Sequence, residues 1–139
     1  MTPDALAALH ARCFAVPRPF SAGEFRDVLS SQACFLVTGS AGFALGRAVL
    51  NEAELITLAV APEDRRQGHG RGLLQKFEAE AARRGAVRVF LEVADDNTAA
   101  RALYTAMGYR ESGRRRGYYR TPAGTRLDAV VMEKRLAKA

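Results

Sequence analysis

A chain of 139 residues, 48% of them hydrophobic, is long enough for one globular domain over residues 1–139 and too short for two of ordinary size. No apolar run approaches the roughly 18 residues a membrane-spanning helix needs, and Met1-Thr2-Pro3-Asp4 offers no basic leader, so a cytoplasmic protein is expected. The net charge of +6 suits nucleic acid, a ribosome or a polyanionic cofactor and does not choose among them.

Pro3 to Cys13 is predicted as a helix, with Leu6, Leu9 and Cys13 on one face and proline at its tolerant start. Pro17-Arg18-Pro19 is a rigid connector. Ser21 with Glu24 three residues on forms a capping box for a helix that turns Phe25, Val28 and Leu29 inward and ends near Ser30. Cys34 to Thr38 is a strand, residues 39–42 are its turn, and Phe43 to Leu50 is the returning strand. Leu55 to Val60 is almost wholly apolar, which predicts a central strand covered on both faces. Pro62 to Gly70 is a polar loop. Gly70 to Arg84 is a helix with Leu73, Leu74, Phe77 and Ala81 on one face, closed by Gly85. Val87 to Val93 is a strand with aliphatic odd positions. Asp95 or Asp96 precedes a helix from Asn97 to Met107 that ends at Gly108. A strand from Tyr109, interrupted at Arg114–Arg116, a turn at Thr121–Gly124 and a last strand from Leu127 to Lys134 complete the chain. Crossover helices in the middle and hairpins at both ends imply a mixed α/β sheet. Cys13 and Cys34 sit in apolar flanks and are expected as free thiols, and no cysteine–histidine spacing suits a metal.

The informative segment joins the apolar strand to the first crossover helix: Arg65-Arg66-Gln67-Gly68-His69-Gly70-Arg71. Glycines at a helix start free backbone N–H groups for a phosphate and let a ligand approach closely. No Gly-Lys-Ser/Thr follows, which excludes a P-loop, and Leu73 stands where the dinucleotide fingerprint needs its third glycine.

Arg65-x-x-Gly68-x-Gly70, between an apolar strand and an amphipathic helix, resembles the acyl-CoA pyrophosphate loop of GNAT N-acetyltransferases. The resemblance implies the GNAT acyl-CoA N-acyltransferase fold, an α/β (α+β mixed) architecture whose mixed, mostly antiparallel sheet is flanked by about four helices. It implies acetyl-CoA as co-substrate, with no metal. The main chain of Arg66, Gln67, Gly68, His69, Gly70 and Arg71 would hold the pyrophosphate, and Leu58, Ala59 and Val60 would pair with the pantetheine arm as an added strand does. Arg65, Arg66 and Arg71 would add charge there or simply face solvent.

Acetyl transfer to an amine needs a base for the ammonium proton and an acid for the departing thiolate. Glu92 interrupts an apolar strand on the face opposite Val89, Leu91 and Val93. It is the candidate base, unless it faces an edge or pairs with Arg88. Tyr104 is the candidate acid, or a packed aromatic. Asn97, two helical turns earlier on nearly the same face, is a candidate pantetheine contact or a plain cap. Leu91-Glu92-Val93, Asn97-Thr98-Ala99-Ala100, Leu103-Tyr104 and Met107-Gly108-Tyr109 are similar to the ribosomal-protein alanine N-acetyltransferases, the RimI-like branch. So are Asn51 to Leu55, Arg115-Arg116-Gly117-Tyr118-Tyr119 and Asp128 to Met132. The similarity runs from Phe20 to Met132 and implies the base role for Glu92 and the acid role for Tyr104. It also implies an alanine N-terminus of a ribosomal protein as acceptor.

The chain departs from that branch in opening almost at its first helix, without the usual short strand. It also carries Phe20 where tryptophan is common. Phe20, Tyr118 and Tyr119 are candidate acceptor contacts, the tyrosines equally open to a packing role. A small amine or a lysine side chain is the alternative acceptor. The charge and the arginine–tyrosine segment also suit a ribosome- or RNA-binding module without catalysis. The first reading needs no nucleic acid and no membrane, and takes a monomer as its working state.

Overall fold

The computed structural model describes residues 1–136. In chain order its elements are α1 (Pro3–Cys13), α2 (Ala22–Leu29), β1 (Cys34–Thr38), β2 (Gly42–Val49) and β3 (Glu52–Val60). After a 3-10 turn at Pro62–Asp64 come α3 (His69–Arg83), β4 (Arg88–Ala94), α4 (Thr98–Ala106), β5 (Arg110–Arg120) and β6 (Arg126–Arg135). The predicted capping box is present: Ser21 Oγ accepts from Glu24 N–H at 3.1 Å, and the Glu24 carboxylate accepts from Ser21 N–H at 3.0 Å. Gly85 and Gly108 end α3 and α4 at a φ of 97°, a left-handed turn that glycine enters without steric cost.

The six strands form one sheet in the order β1-β2-β3-β4-β6-β5. All neighbours are antiparallel except β3 and β4, which run parallel because α3 carries the chain across between them. The sheet separates two apolar layers. On one face α3 packs Leu73, Leu74, Phe77 and Ala81 against Phe35, Leu55, Val89, Leu91 and Val130. On the other, α1 and α2 bring Leu6 and Phe25 onto Phe43, Leu45 and Ala59. Gly46 has no Cβ for a physical reason: one there would sit 2.2 Å from Phe77 Cε1. His10 lies in the second layer, 1% exposed, where its Nδ1 accepts from Phe20 N–H at 2.8 Å and its Nε2 lies 2.9 Å from Thr57 Oγ1. Since Nδ1 accepts, the proton is on Nε2 and is donated to Thr57.

Several expectations are corrected. β3 begins at Glu52, not Leu55, because Glu52 to Leu55 pair with β4 as well as with β2. β5 is not interrupted at Arg114–Arg116. It runs on to Arg120 and absorbs the disruption as a bulge between Arg115 and Tyr119. α4 begins at Thr98 rather than Asn97, because Asn97 is its cap, the side chain accepting from Ala100 N–H at 3.2 Å. Asp95 holds Arg101 at 2.9 Å and Arg114 at 3.1 Å. Cys13 and Cys34 are both free thiols and half-buried.

Candidate active site

Strands β3 and β4 pair only from Glu52–Arg88 to Leu55–Leu91. One residue past the last pair, Ile56 is the extra residue of a bulge, because Gly46 faces Leu55 and Leu45 faces Thr57. A bulge bends its strand and re-aims the side chains after it. From there β3 stays with β2 as far as Val60, and β4 stays with β6 as far as Ala94. The sheet therefore opens between its two central strands, and among the described residues the β4-facing edge of residues 56–60 has no strand partner. The bulge also exchanges faces. Leu55, Leu58 and Val60 pack with the α3 layer, whereas Ile56 and Ala59 pack with α1 and α2.

The opening is a cleft of about 100 Å³. Its walls are Leu55 to Leu58 from β3, Leu91 to Ala94 from β4, and Asn97, Ala100, Leu103 and Tyr104 from α4. Phe14, Val16 and Pro17, from the connector after α1, close its mouth. Glu92, Tyr104, Asn97 and Leu58 thus share one cavity.

At the far end of β3 lies the glycine-bearing loop. Arg66 (φ 64°) and Gly68 (φ 83°) are both left-handed, and Gly68 is the N-cap residue of α3. Alternating handedness of this kind turns successive N–H groups into one concavity, an anion nest. From Gln67 to Arg71 no N–H is taken up by a described residue; the next, Gly72 N–H, donates to Gly68 O at 3.1 Å. Five donors at a helix N-terminus, with the helix dipole behind them, favour a phosphate. Gly70 packs so closely on α4 that a Cβ would stand 3.1 Å from Leu103 Cδ2. Arg65, Arg66 and Arg71 are exposed around it, Arg65 Nε donating to Val60 O at 3.3 Å. Val60 O also accepts from Cys13 Sγ at 3.3 Å, so its carbonyl is engaged within the chain.

Tyr104 is 7% exposed, and its ring meets Tyr109 edge-on at 5.8 Å between centroids. Burial raises its phenol well above the ordinary value of 10. Its hydroxyl has no partner among the described residues, and no buried side-chain polar atom is left unsatisfied, so that hydroxyl is open to the cleft.

Glu92 does not pair with Arg88, which is held by Glu133 at 2.6 Å and Glu52 at 3.2 Å. Its partner is Arg115 of β5, whose Nε lies 3.1 Å from Glu92 Oε1. Glu54, on β3, is raised above the ordinary carboxylate value, chiefly by burial, with Arg47 opposing and Glu92 adding. Tyr119 is pushed up to about 12 by burial first and then by the Glu92 charge, which places it beside that carboxylate. Tyr118 is exposed, its ring under the Arg115 guanidinium at 4.9 Å. Phe20 lies elsewhere: its ring packs on His10 at 5.0 Å and Phe25 at 5.4 Å, and it is not among the cleft residues. Sequence reasoning missed Arg115, Glu54 and Phe14 as neighbours of the site. Strand register brings Arg115 and Glu54 there, and the packing of α1 on the sheet brings Phe14.

Residues 5–109 match the Acetyltransferase (GNAT) family. The [ribosomal protein bS18]-alanine N-acetyltransferase of Escherichia coli K12 is 46% identical over 92 residues, covering 66% of this chain and 62% of that relative, so the match spans less than two thirds of its length. N-alpha-acetyltransferase RimI of Mycobacterium tuberculosis is 36% identical over 137 residues, covering 92% and 83%. The crystal structure of the Escherichia coli ribosomal-protein-S18-alanine N-acetyltransferase superposes with a TM-score of 0.86 at 34% identity, covering 99% of this chain and 89% of that one. Chaetomium thermophilum Naa20, solved with a bisubstrate analogue, shares the fold at a TM-score of 0.80 and 24% identity, covering 98% and 84%. The split sheet and its phosphate nest, together with these similarities, identify the chain as a member of the GNAT acetyltransferase family.

Proposed function

We propose that the protein transfers the acetyl group of acetyl-CoA directly to the N-terminal α-amine of a ribosomal protein that begins with alanine. One observation carries the reading: a carboxylate on β4 and a phenol on α4 line a single cleft beside β3, the strand that leads on to the amide nest. The family membership and the relatives named above support it. A cytoplasmic setting belongs to the same reading.

The nest at Gln67 to Arg71 holds the diphosphate, and the unpaired edge of Leu58 to Val60 receives the pantetheine amides, so that the thioester lies between Glu92 and Tyr104. Asn97 fixes the first turn of α4 and with it the direction of Tyr104. The acceptor arrives as an ammonium. Glu92 removes a proton, directly or through one water, and the freed amine attacks the thioester carbon. The new C–N bond forms, the C–S bond breaks, Tyr104 delivers its proton to the departing sulfur, and the second proton shed by the acylated nitrogen restores the phenol. A phenol held above its usual pKa stays protonated through neutral pH and can serve as that donor. Tyr118 and Tyr119 flank the acceptor side.

The test is mass spectrometry of peptides beginning with alanine, incubated with protein and acetyl-CoA beside polyamine and lysine acceptors. We expect one added acetyl group on the alanine α-amine. Cofactor binding without acetylation of any peptide in a broad panel overturns the acceptor assignment.

A further inference from the structure

We infer that Arg115 occupies, in the free protein, the place on Glu92 that the acceptor ammonium takes during the reaction, acting as a latch that the substrate displaces. The inference rests on the acceptor-side reading of Glu92 given above.

The contact spans two strands. Across the sheet, β4 pairs with β6 and β6 with β5, so Arg115 must pass over β6 to reach Glu92. Its register partner on β6 is Ala129, fully buried. Val130 and Met132 belong to the α3 layer, and alternation puts Ala129 on the opposite face, the face of Glu92. A single methyl group there leaves a floor low enough for an arginine stem to cross.

The bulge supplies the reach. Between Arg115 and Tyr119 the β5 strand advances four positions while β6 advances two, from Ala129 to Leu127. This swelling is pinned. Gly117, at a φ of 58°, donates its N–H to Asp128 Oδ1 at 2.8 Å, and Arg126 Nη1 donates to Gly117 O at 3.1 Å. Asp128 also accepts from Arg114 Nη1 at 3.1 Å. Arg114 is thereby committed, which leaves Arg115 as the only cation bonded to Glu92 among the described residues.

The pair is built to be exchanged. The Arg115 side chain is 55% exposed, so water can replace its contact with the carboxylate, and the Tyr118 ring already lies 4.9 Å beneath the guanidinium on the solvent side. The other charged group around Glu92 is Glu54 on β3, backed by Arg47 at 3.4 Å; the Tyr119 phenol on β5 is titratable but neutral, and β6 contributes Ala129 and Val131, neither of them charged. With Arg115 turned away, Glu54 and Glu92 together favour an incoming ammonium.

The experiment is a double-mutant cycle, read by calorimetry. It measures the affinity of an alanine-starting hexapeptide in the presence of coenzyme A, which cannot react. Arg115→Ala is expected to tighten binding by roughly two- to fivefold, the worth of an exposed ion pair. Arg115→Lys should restore wild-type affinity. The gain should vanish in the Glu92→Gln background and for the same peptide with an acetylated N-terminus. Weaker or unchanged peptide affinity in Arg115→Ala overturns the latch, as does a gain that survives Glu92→Gln or appears equally with the acetylated peptide. Coupling found without any acetyl transfer by the wild type would overturn the acceptor reading and leave the latch standing. Transfer with no coupling would do the reverse.

Discussion

Glu92 and Tyr104 reach the cleft from different elements, and their surroundings push them toward opposite tasks. Glu92 is about one quarter exposed and ion-paired, a carboxylate able to accept a proton from an approaching ammonium. Tyr104 is buried with its hydroxyl facing the cavity, a phenol that keeps its proton. Replacing Glu92 with glutamine should lower kcat by roughly a hundredfold or more, the usual contribution of a positioned base, while the Kd for coenzyme A changes little. Steady-state kinetics with calorimetry decides it, and unchanged turnover would assign the base to another group. Tyr104→Phe retains the ring that packs on Tyr109, so the fold and cofactor affinity should persist while kcat falls at least tenfold; ~1.4 kcal/mol of lost transition-state stabilisation suffices for that.

At the scale of elements, two local irregularities make the site. The extra residue at Ile56 ends the β3–β4 ladder and opens the cleft, and the left-handed pair Arg66 and Gly68 folds the loop beyond the end of β3. A Cβ at Gly68 would have no heavy atom within 4 Å, so alanine there meets no clash and acts through backbone conformation alone. Holding alanine at a φ of 83° costs about 1–2 kcal/mol. If the loop relaxes to escape that strain, the amide nest is lost. Gly68→Ala should therefore weaken coenzyme A binding by roughly five- to thirtyfold with only a small fall in Tm, as calorimetry and thermal melts would show. Equal affinity in the variant would mean that the nest does not hold the diphosphate.

At the scale of the molecule, the two layers differ in how they respond to acid. The α3 layer is closed by aliphatic and aromatic packing, whereas the α1–α2 layer encloses His10. Burial lowers the imidazole from 6.5 to about 4, with Glu24 opposing the shift. The folded chain thus keeps His10 neutral while the unfolded chain protonates it as pH falls below 6.5. Stability is complete above that value, declines between pH 6.5 and 4, and has lost about 3 kcal/mol from this group below the folded pKa. Urea denaturation at pH 7 and pH 4.5 should show this loss in the wild type, and a smaller one in His10→Gln. An identical pH dependence in both proteins would exclude His10 as its source.

The order of elements, the capping box, the phosphate loop and the candidate pair Glu92 and Tyr104 were legible in the sequence, because each is written in residues close along the chain. Periodicity shows which side of a helix turns inward, and glycine spacing shows where the main chain is free to bind. The partner of Glu92 was not legible. Arg88 is near it in sequence and on the same strand face, yet Arg115 holds it, because the β4–β6–β5 register sets residue 115 across from Ala94, on the same face as and diagonal to residue 92. Phe20 stands where the resembled branch commonly carries tryptophan, and long-range packing sets its ring on His10 and Phe25. Local sequence by itself determined the fold class and the glycine-bearing loop before α3, since propensity, caps and left-handed glycines act over a few residues. Only the tertiary structure decided where the sheet splits and which charges meet there, since those depend on register between strands distant in the chain.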